Sequence, residues 1–187
     1  MQKMKKSNLH FADLVADARQ FFLGLPQKEN SFTIVSGGCE SCLPGYTVDR
    51  GGLSFSVMEL VVEGEGKVVL NGVTHSLSPG SLFFYQNGVA HRIKNNNRKP
   101  MLKYFIAFTG KDSILTHADF FSMESAFVRL QNYPELSELF ELILINTATR
   151  SLFFREICIN LLRVLLLKVG QNIDSPSNVE SGAWSTY

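Results

Sequence analysis

The sequence predicts a mainly β domain, a barrel or sandwich, followed by an antiparallel pair of C-terminal helices. Between about residues 31 and 108, short runs rich in strand-forming residues alternate with Gly, Asn and Pro, which is the pattern of strands and turns. Asn71-Gly72 is the strongest hairpin signal in the chain, because both residue types tolerate the positive φ of a type I′ turn. After Gly110 the apolar residues recur at helical spacing instead.

The composition limits the classes of function that the chain can have. A chain of 187 residues with 45% hydrophobic and 19% charged residues suits one globular domain, with or without a small appendage. Its formal net charge of +1 gives no overall field that would attract nucleic acid or a membrane surface. Three cysteines, Cys39, Cys42 and Cys158, have no spacing typical of a disulfide framework and favour a reducing compartment. We therefore expect a cytoplasmic protein.

Residues 1–30 are predicted to form an N-terminal arm or a helix. The apolar residues between positions 8 and 25 recur at roughly helical spacing, and Pro26 closes the segment. The basic start is not expected to be a signal peptide, because Asp13, Asp17 and Arg19 interrupt the apolar stretch that a signal peptide needs.

Residues 31–112 are predicted to form the barrel or sandwich. Turn-forming residues separate its strand candidates every several residues, as in small all-β domains. The strand candidates are 32–36, 46–50, 54–63, 67–70, 74–77, 81–85, 90–94 and 103–108.

Residues 113–170 are predicted to form a helical region. Pro134 opens a helix over 135–146, and a second helix runs over 151–169 until Gly170 ends it. The apolar stretches of both helices are too short and too interrupted by charge to cross a bilayer, so no membrane partner is expected. The polar tail, 171–187, has the composition of a linker that leads to another domain.

The second predicted helix is apolar on two faces, and such a helix needs two packing partners. One face can pack within its own domain. The other can pair with a second copy of the chain in a short antiparallel coiled coil, in which Asn160 would fix the register. The residues assigned to this homodimer contact are Ile157, Asn160, Leu161, Val164, Leu165 and Lys168. The alternative is a helix that is buried wholly within its own subunit.

One segment, 80–95, resembles the second cupin motif, with Gly80, His91 and Asn95 at the spacing of that motif and Gln86 in place of its proline. Upstream, Glu59 and Gly66 match the end of the first cupin motif. The positions at which that motif places its two histidines fall near Leu53 and Phe55, which cannot bind a metal. Since a cupin metal centre needs several converging ligands, we expect no metal and no cofactor. Whether Cys39 and Cys42 bind a structural metal stays open.

Further segments extend the resemblance to most of the chain. They are Gly45-Tyr-Thr-Val-Asp-Arg50, Glu63-Gly-Glu-Gly66, Leu77-Ser-Pro-Gly80, Gly88-x2-His91 and Ile159-Asn-Leu-Leu162 with Leu165-Leu-Leu167. They occur in the order seen in AraC/XylS-type transcriptional regulators, so residues 45–169 resemble the N-terminal half of that family. The resemblance implies a cupin-like barrel that binds a small effector, often a sugar, and helices that pair two subunits. DNA would be bound only through a helix-turn-helix domain that this chain lacks.

The resemblance also implies a ligand-binding set. Arg50 matches an arginine that bonds the sugar in the family, and its fork of donors suits hydroxyl groups. Ile93, Lys103 and Phe105 stand where the arabinose-binding member has tyrosine, histidine and tryptophan, so arabinose itself is not the expected effector. The residues assigned to the ligand are Arg50, Glu59, His91, Ile93, Lys103 and Phe105. For two of them a structural role is the alternative: a salt bridge of Arg50 with Asp49 or Glu59, and a satisfied His91 inside the barrel.

Three functions compete at this point. The leading one is an effector-sensing module, which is not an enzyme and has no catalytic residue, and whose effector is a sugar or polyol. The second is a stand-alone cupin enzyme that acts on a small sugar or polyol, with Glu59, His91 and Lys103 as acid and base candidates. The third is a purely structural dimerisation module, which would have a filled barrel and no cavity.

Overall fold

Ten strands form two antiparallel sheets in the computed structural model, which describes residues 14–25, 31–112, 115 and 119–174. The strands are β1 (Val15–Phe22), β2 (Thr33–Cys42), β3 (Thr47–Arg50), β4 (Ser56–Glu63), β5 (Gly66–Leu70), β6 (Val73–Leu77), β7 (Ser81–Tyr85), β8 (His91–Asn95), β9 (Leu102–Thr109) and β10 (Ser125–Arg129). One sheet has six strands in the order β1-β2-β9-β4-β7-β10, and the other has four in the order β3-β8-β5-β6. The helices are α1 (Asp119–Ser122), α2 (Pro134–Thr149) and α3 (Phe154–Asp174). The predicted fold class, mainly β with C-terminal helices, is confirmed.

The predicted hairpin is present between β5 and β6. Asn71 has a φ of 45° and Gly72 a φ of 81°, so both turn residues have the positive φ that a type I′ turn requires. The two strands pair in register from Leu70 opposite Val73 to Gly66 opposite Leu77. The turn therefore sets the register of one edge of the four-stranded sheet.

Of the two alternatives for the N-terminal segment, an arm or a helix, the helix is wrong over the residues that are described there. Val15–Phe22 is an edge strand that pairs antiparallel with β2, because β2 offers a row of backbone donors and acceptors along an otherwise open edge. A ring of this strand, Phe21, lies over Gly37 of β2, where a side-chain Cβ would come within 2.7 Å of it. Residues 1–13 and 26–30 lie outside the described residues.

The region predicted as helical, 113–170, also contains a strand. Ser125–Arg129 pairs antiparallel with β7 and completes the far edge of the six-stranded sheet. Its five residues alternate between half-buried and buried, but one short alternation is a weak signal in a sequence. Another correction concerns the linker predicted from residue 171, since α3 continues to Asp174; the rest of that tail lies outside the described residues.

The two long helices lie side by side and run in opposite directions. Near one end of the pair, Lys168 of α3 forms a salt bridge of 2.7 Å with Glu135 at the start of α2. Towards the other end, the Cys158 thiol of α3 lies 3.8 Å from the carbonyl oxygen of Ile143 in α2. The turn between the helices begins at Arg150, whose φ of 47° ends α2 in a left-handed conformation.

The residues predicted for a homodimer contact do not all lie on one surface. Leu165 is fully buried in the core of its own subunit, so its assignment to a dimer surface is wrong; it lies on the face of α3 that packs inward. Ile157, Val164 and Asn160 are exposed, whereas Leu161 and Lys168 are half-buried. Helices α2 and α3 do not include a stretch that is long and apolar enough to cross a membrane, and neither does any other described helix.

The side chains of the six-stranded sheet alternate between two environments. On the outer face they form an apolar core with the helices, in which Met58, Leu60, Ile106 and Phe108 pack with α2 and α3. The inner face looks toward the four-stranded sheet. The alternation follows from the pleat of a strand, in which successive side chains point to opposite faces. It decides which residues of β2, β4 and β9 reach the barrel interior.

Candidate ligand-binding site

A cavity lies inside the barrel, between the two sheets. Its empty volume is about 520 Å³, a figure that includes space open to solvent. All six residues that the sequence predicted for ligand binding line it: Arg50, Glu59, His91, Ile93, Lys103 and Phe105. The placement follows from strand geometry, because Lys103 and Phe105 are alternate residues of β9 and Glu59 lies directly opposite Phe105 on β4.

A buried lysine holds two carboxylates together at the base of the cavity. The Lys103 Nζ lies 2.7 Å from Oε2 of Glu59 and 2.9 Å from Oε2 of Glu40. Two tyrosines complete this group. The hydroxyl of Tyr85 donates to Oε1 of Glu59 over 2.8 Å, and the hydroxyl of Tyr46 donates to Oε2 of Glu40 over 3.2 Å. We call these five residues the polar floor.

The charges of the polar floor are stabilised by one another. Burial lowers the pKa of Lys103, but Glu40 and Glu59 raise it more, so that it lies well above its ordinary value. Burial likewise raises the pKa of Glu40, and the attraction of Lys103 overcomes this and leaves the pKa below its ordinary value. Burial, with the negative charges beside them, raises the pKa of both Tyr46 and Tyr85. The polar floor therefore holds a protonated lysine, an ionised Glu40 and two neutral tyrosines at neutral pH.

His91 has a different environment from the polar floor. The ring is buried and stacks on the ring of Tyr85 at a centroid distance of 4.1 Å. Its Nδ1 lies 3.2 Å from the carbonyl oxygen of Val89, whereas its buried Nε2 has no hydrogen-bond partner among the residues that the structure describes. Burial lowers the pKa of His91. The ring is therefore neutral at neutral pH, and one of its nitrogens makes no hydrogen bond to the part of the chain that the structure describes.

Arg50 lies directly opposite His91 in the antiparallel pair of β3 and β8. Residues at opposite positions of such a pair place their side chains on the same face, so both reach the cavity. Asp49 is exposed and forms a salt bridge with Arg92, with 2.6 Å between Oδ2 and Nη2. The positive charge of Arg50 contributes to the low pKa of His91.

The remaining lining of the cavity is mostly apolar. We call it the apolar wall: Val48, Leu53, Phe55, Ile93 and Phe105. The Lys103 ammonium group lies 5.3 Å from the ring centroid of Phe105, which holds this ring next to the polar floor. The position of the ring also depends on Gly38 of β2, because a Cβ there would come within 2.8 Å of both the ring and the backbone oxygen of Arg19.

The donor set of the cavity does not fit a metal ion. Leu53 and Phe55, which stand near the histidine positions of the first cupin motif, belong to the apolar wall. The described residues bring no group of three or more His, Cys, Asp or Glu side chains together as a metal would need. Between the two carboxylates of the polar floor lies the Lys103 ammonium group, which supplies the positive charge that they need.

Cys39 and Cys42 both lie on β2. Both are buried and carry free thiols. They pack into different cores, Cys39 on the helix side of the sheet and Cys42 inside the barrel. Burial raises the pKa of the Cys42 thiol to about 12. The pair therefore consists of protonated core residues that face away from each other.

Sequence reasoning missed three residues of the polar floor: Glu40, Tyr46 and Tyr85. Two of them could have been found, because they lie within segments that carry the family resemblance. Tyr46 lies within the segment 45–50, and Tyr85 lies within the segment that resembles the second cupin motif. The third, Glu40, lies on a part of β2 that was not predicted as a strand. The surrounding residues Gly37, Gly38 and Cys39 lack the alternation typical of strands.

Comparison with known protein families agrees with this geometry. A family model described as the AraC-like ligand binding domain matches residues 35–161, which covers the barrel strands from β2 to β10 and most of the helix pair. The chain belongs to this family. The resemblance to the N-terminal half of AraC-type regulators that the sequence predicted is thereby confirmed. The search of curated proteins found no match.

Solved structures with a similar arrangement include several proteins of distant sequence. YhaK from Escherichia coli is 15% identical with a TM-score of 0.47, over 63% of this chain and 52% of that protein. A putative glyoxylate-induced protein from Pseudomonas aeruginosa is 18% identical with a TM-score of 0.45, over 66% and 44%. The matched part of this AraC-like domain thus spans about half the length of these two proteins. The plu4264 protein from Photorhabdus luminescens is 20% identical with a TM-score of 0.40, over 62% and 94%.

Proposed function

We propose that this AraC-like domain binds a small sugar or polyol in its barrel and controls an attached DNA-binding domain in a bacterial transcription regulator. The observation that carries the proposal is the cavity, which has a fixed polar floor below an apolar wall. Its lining combines a few charged and polar groups with apolar side chains, as the lining of a small-molecule site does. A purely structural module would have a filled barrel, which does not agree with this cavity. As part of a transcription regulator, the domain would act in the cytoplasm.

The chemistry of the lining supports a carbohydrate. A sugar has hydroxyl groups around its ring and apolar C–H faces, so it needs hydrogen-bonding groups and an aromatic or aliphatic surface together. The polar floor and Arg50 offer the first, and Phe55, Ile93 and Phe105 offer the second. The arginine contributes a fork of N–H donors.

The polar floor supports binding rather than catalysis. A general base must accept a proton near the working pH, but the pKa of Lys103 lies well above its ordinary value because of Glu40 and Glu59. Both carboxylates are occupied by the lysine and by the tyrosine hydroxyls. Groups that are paired in this way are held in fixed positions, and we propose no reaction for them.

A chain of contacts offers a route from the cavity to the helices. Gln20 of β1 donates to Oε1 of Glu40 over 2.8 Å, so β1 is attached to the polar floor. The next residue toward the N-terminus, Arg19, donates to both carboxylate oxygens of Glu141 in α2, over 2.8 and 2.5 Å. A ligand that favours one position of Glu40 would therefore shift the preferred position of β1 relative to α2, which is the differential contact that a ligand-driven change requires.

The exposed apolar face of α3 supports a homodimer. Ile157, Val164 and Leu167 are between 39% and 57% exposed and recur at intervals of seven and three residues on one side of the helix. Pairing of two such faces would bury them. We propose that this contact joins two subunits and so transmits the state of the cavity to two DNA-binding domains.

Calorimetric titration tests the proposal directly. The purified chain is titrated with a panel of pentoses, hexoses, disaccharides and alditols, and with organic acids and amino acids as other classes. We expect saturable binding of at least one sugar or polyol with one site per chain. Each ligand that binds is recovered and examined by chromatography, and chemical conversion of it would favour the cupin enzyme instead. No binding from any class would overturn the proposal.

Dimerisation has its own test. Sedimentation equilibrium of the chain should give twice the mass of one subunit, and Val164→Glu should give one subunit's mass, because it would place a charge within the apolar contact. The matched control is Val73→Glu, at an exposed valine of β6. A monomer in the unsubstituted chain would contradict the proposed contact.

A further inference from the structure

We propose that His91 is the specificity-determining residue of the cavity and that it accepts a hydrogen bond from a hydroxyl group of an uncharged ligand. This inference rests on the proposed function, because it specifies the chemistry of the same cavity. It concerns one atom, the Nε2 of a buried ring that the protein leaves without a partner among the described residues.

The hydrogen bond at the other ring nitrogen determines what Nε2 can do. The Nδ1 of His91 lies 3.2 Å from the carbonyl oxygen of Val89, and a carbonyl oxygen only accepts, so Nδ1 carries the proton. In a neutral imidazole the second nitrogen is then an acceptor. The stack on Tyr85 and the burial of the ring hold this acceptor in a fixed direction. A buried acceptor without a partner is unfavourable, so a ligand that supplies a donor gains affinity there.

The polar floor and His91 differ in how far their polar atoms are already hydrogen-bonded within the protein. The Lys103 ammonium group is shared by Glu59 and Glu40. Each carboxylate also accepts from a tyrosine hydroxyl, and Glu40 accepts from Gln20 as well. These groups satisfy one another before any ligand arrives, whereas the His91 Nε2 does not have such a contact within the described residues.

The charges around the cavity favour a ligand without charge. The lining contains two cationic side chains, Arg50 and Lys103, and two carboxylates, Glu40 and Glu59, so its formal charges balance. An ionic ligand would add one uncompensated charge to a partly enclosed site, which is costly. Uronic acids and amino sugars are therefore expected to bind more weakly than the neutral sugar or polyol of the same size.

A hydroxyl group suits the pair formed by His91 and Arg50. The two residues are direct neighbours across β3 and β8, one with an acceptor nitrogen and the other with N–H donors. A hydroxyl can donate to the first and accept from the second. Ether oxygens and carboxylates have no hydrogen to donate, so neither can satisfy the His91 Nε2.

The test uses the tightest ligand found in the calorimetric panel and its monodeoxy derivatives, one for each carbon that bears a hydroxyl. For the unsubstituted chain, one derivative should bind about 10-fold to 100-fold more weakly than the parent, because it leaves the acceptor unpaired. The His91→Ala variant should lose a similar factor for the parent ligand. It should also bind the parent and that derivative about equally.

Two further variants separate recognition from structure. The His91→Gln variant keeps an acceptor oxygen near the same place and should recover part of the preference for the parent. The matched control is His75→Ala, because His75 stacks on Phe127 at 4.5 Å and does not line the cavity. This control should leave both affinities unchanged.

The outcomes distinguish this inference from the proposed function. Absence of all binding overturns both. Binding in which no monodeoxy derivative is weakened, or in which the uronic acid binds more tightly than the neutral ligand, overturns the role of His91 and leaves the sensor intact. Equal losses for parent and derivative in His91→Ala would also overturn it, because they indicate a structural effect. The derivative series needs no variant, so it can still overturn the role of His91 if a variant fails to fold.

Discussion

The six-stranded sheet has one face toward the helices and one toward the cavity, and the same strands supply both. On β9, Tyr104, Ile106 and Phe108 pack on the helix side, while Lys103 and Phe105 line the cavity. The helix side is an apolar core. The cavity side buries an ammonium group and two carboxylates and still leaves space. The first arrangement is what stability requires, and the second is what a binding site requires.

This difference indicates that the cavity side contributes less to stability than the helix side. Buried ions lose their hydration and regain it only through good mutual contacts, so a polar floor contributes less to stability than apolar side chains of similar volume would. Its retention in the middle of a barrel that could be filled with Leu and Val is best explained by ligand recognition. The following experiments are arranged from the largest expected effect to the smallest. They test whether one face of the sheet stabilises the fold and the other binds a ligand.

Removal of the buried cation should have the largest effect. We expect Lys103→Met to lower the free energy of unfolding by about 3–5 kcal/mol at pH 7, because it leaves two carboxylates buried without their partner. Urea unfolding measures the change. The triple variant with Glu40→Gln and Glu59→Gln should recover much of the loss, since no charge remains. If the triple variant is less stable than Lys103→Met, the charges of the polar floor stabilise the fold. The difference in stability between the helix side and the cavity side would then be contradicted.

Truncation on the helix side should be nearly as costly but should not affect binding. Leu162 is fully buried against both the sheet and α2, so we expect Leu162→Ala to cost about 2–5 kcal/mol of unfolding free energy. Its control is Leu152→Ala in the exposed turn between the helices, with a change within about 0.5 kcal/mol. Calorimetry should give unchanged ligand affinity for both. A changed affinity in Leu162→Ala would show that the helix core takes part in recognition.

Acidification should affect the cavity side through His91. Burial places its pKa below the ordinary value of 6.5, so the unfolded chain takes up this proton first as the pH falls. The unfolding free energy should therefore decrease as the pH falls from about 6.5 toward the folded-state pKa, and this contribution should level off below it. His75 contributes in the same direction, because burial lowers its pKa as well.

Substitution separates the two histidines. Urea unfolding between pH 5 and 8 should show a shallower decrease for His91→Asn than for the unsubstituted chain, and His75→Asn should remove a separate share. An unchanged pH profile in His91→Asn would contradict a buried, neutral His91.

The contact between β1 and α2 should have the smallest effect on stability. Arg19 binds Glu141 through two hydrogen bonds but is 56% exposed in its side chain, so we expect Arg19→Ala to cost less than about 1 kcal/mol. Urea unfolding measures it, with Arg92→Ala as a control, since the exposed pair of Arg92 and Asp49 does not connect β1 to a helix. A loss of more than about 2 kcal/mol of unfolding free energy would show that this contact stabilises the fold strongly. That result would contradict a β1 that shifts relative to α2 when a ligand binds.

Several parts of the fold and of the cavity could be predicted from sequence alone. Asn71-Gly72 determined a hairpin locally, because the turn type needs only two residues. Lys103 and Phe105 could be placed in the cavity because their positions match the ligand-facing strand of the family, and strand alternation turns both side chains to the same face. Arg50 and His91 followed from motif spacing and family resemblance. In each case the information is contained in neighbouring residues or in an ordered motif.

Other parts depend on contacts between distant segments. β1 is a strand because it pairs with the open edge of β2. The sequence of residues 15–22 does not by itself predict this pairing. Glu40 joins the cavity through Lys103, a residue far along the chain on another strand. The polar character of a β2 face that looks into a cavity removes the apolar alternation by which strands are recognised. A strand that lines a binding site is therefore harder to predict from its sequence than a strand of an apolar core.

The glycine behind Phe105 has a consequence for how ligand preference can change. A methyl group at Gly38 would come within 2.8 Å of the aromatic ring and of the Arg19 carbonyl oxygen. Since the backbone cannot yield easily, the ring would move toward the empty space. The largest ligand that fits is therefore limited by a residue that never touches it. Evolution, or the designer of a biosensor, can shift the Phe105 ring from this position without replacing any residue that lines the cavity.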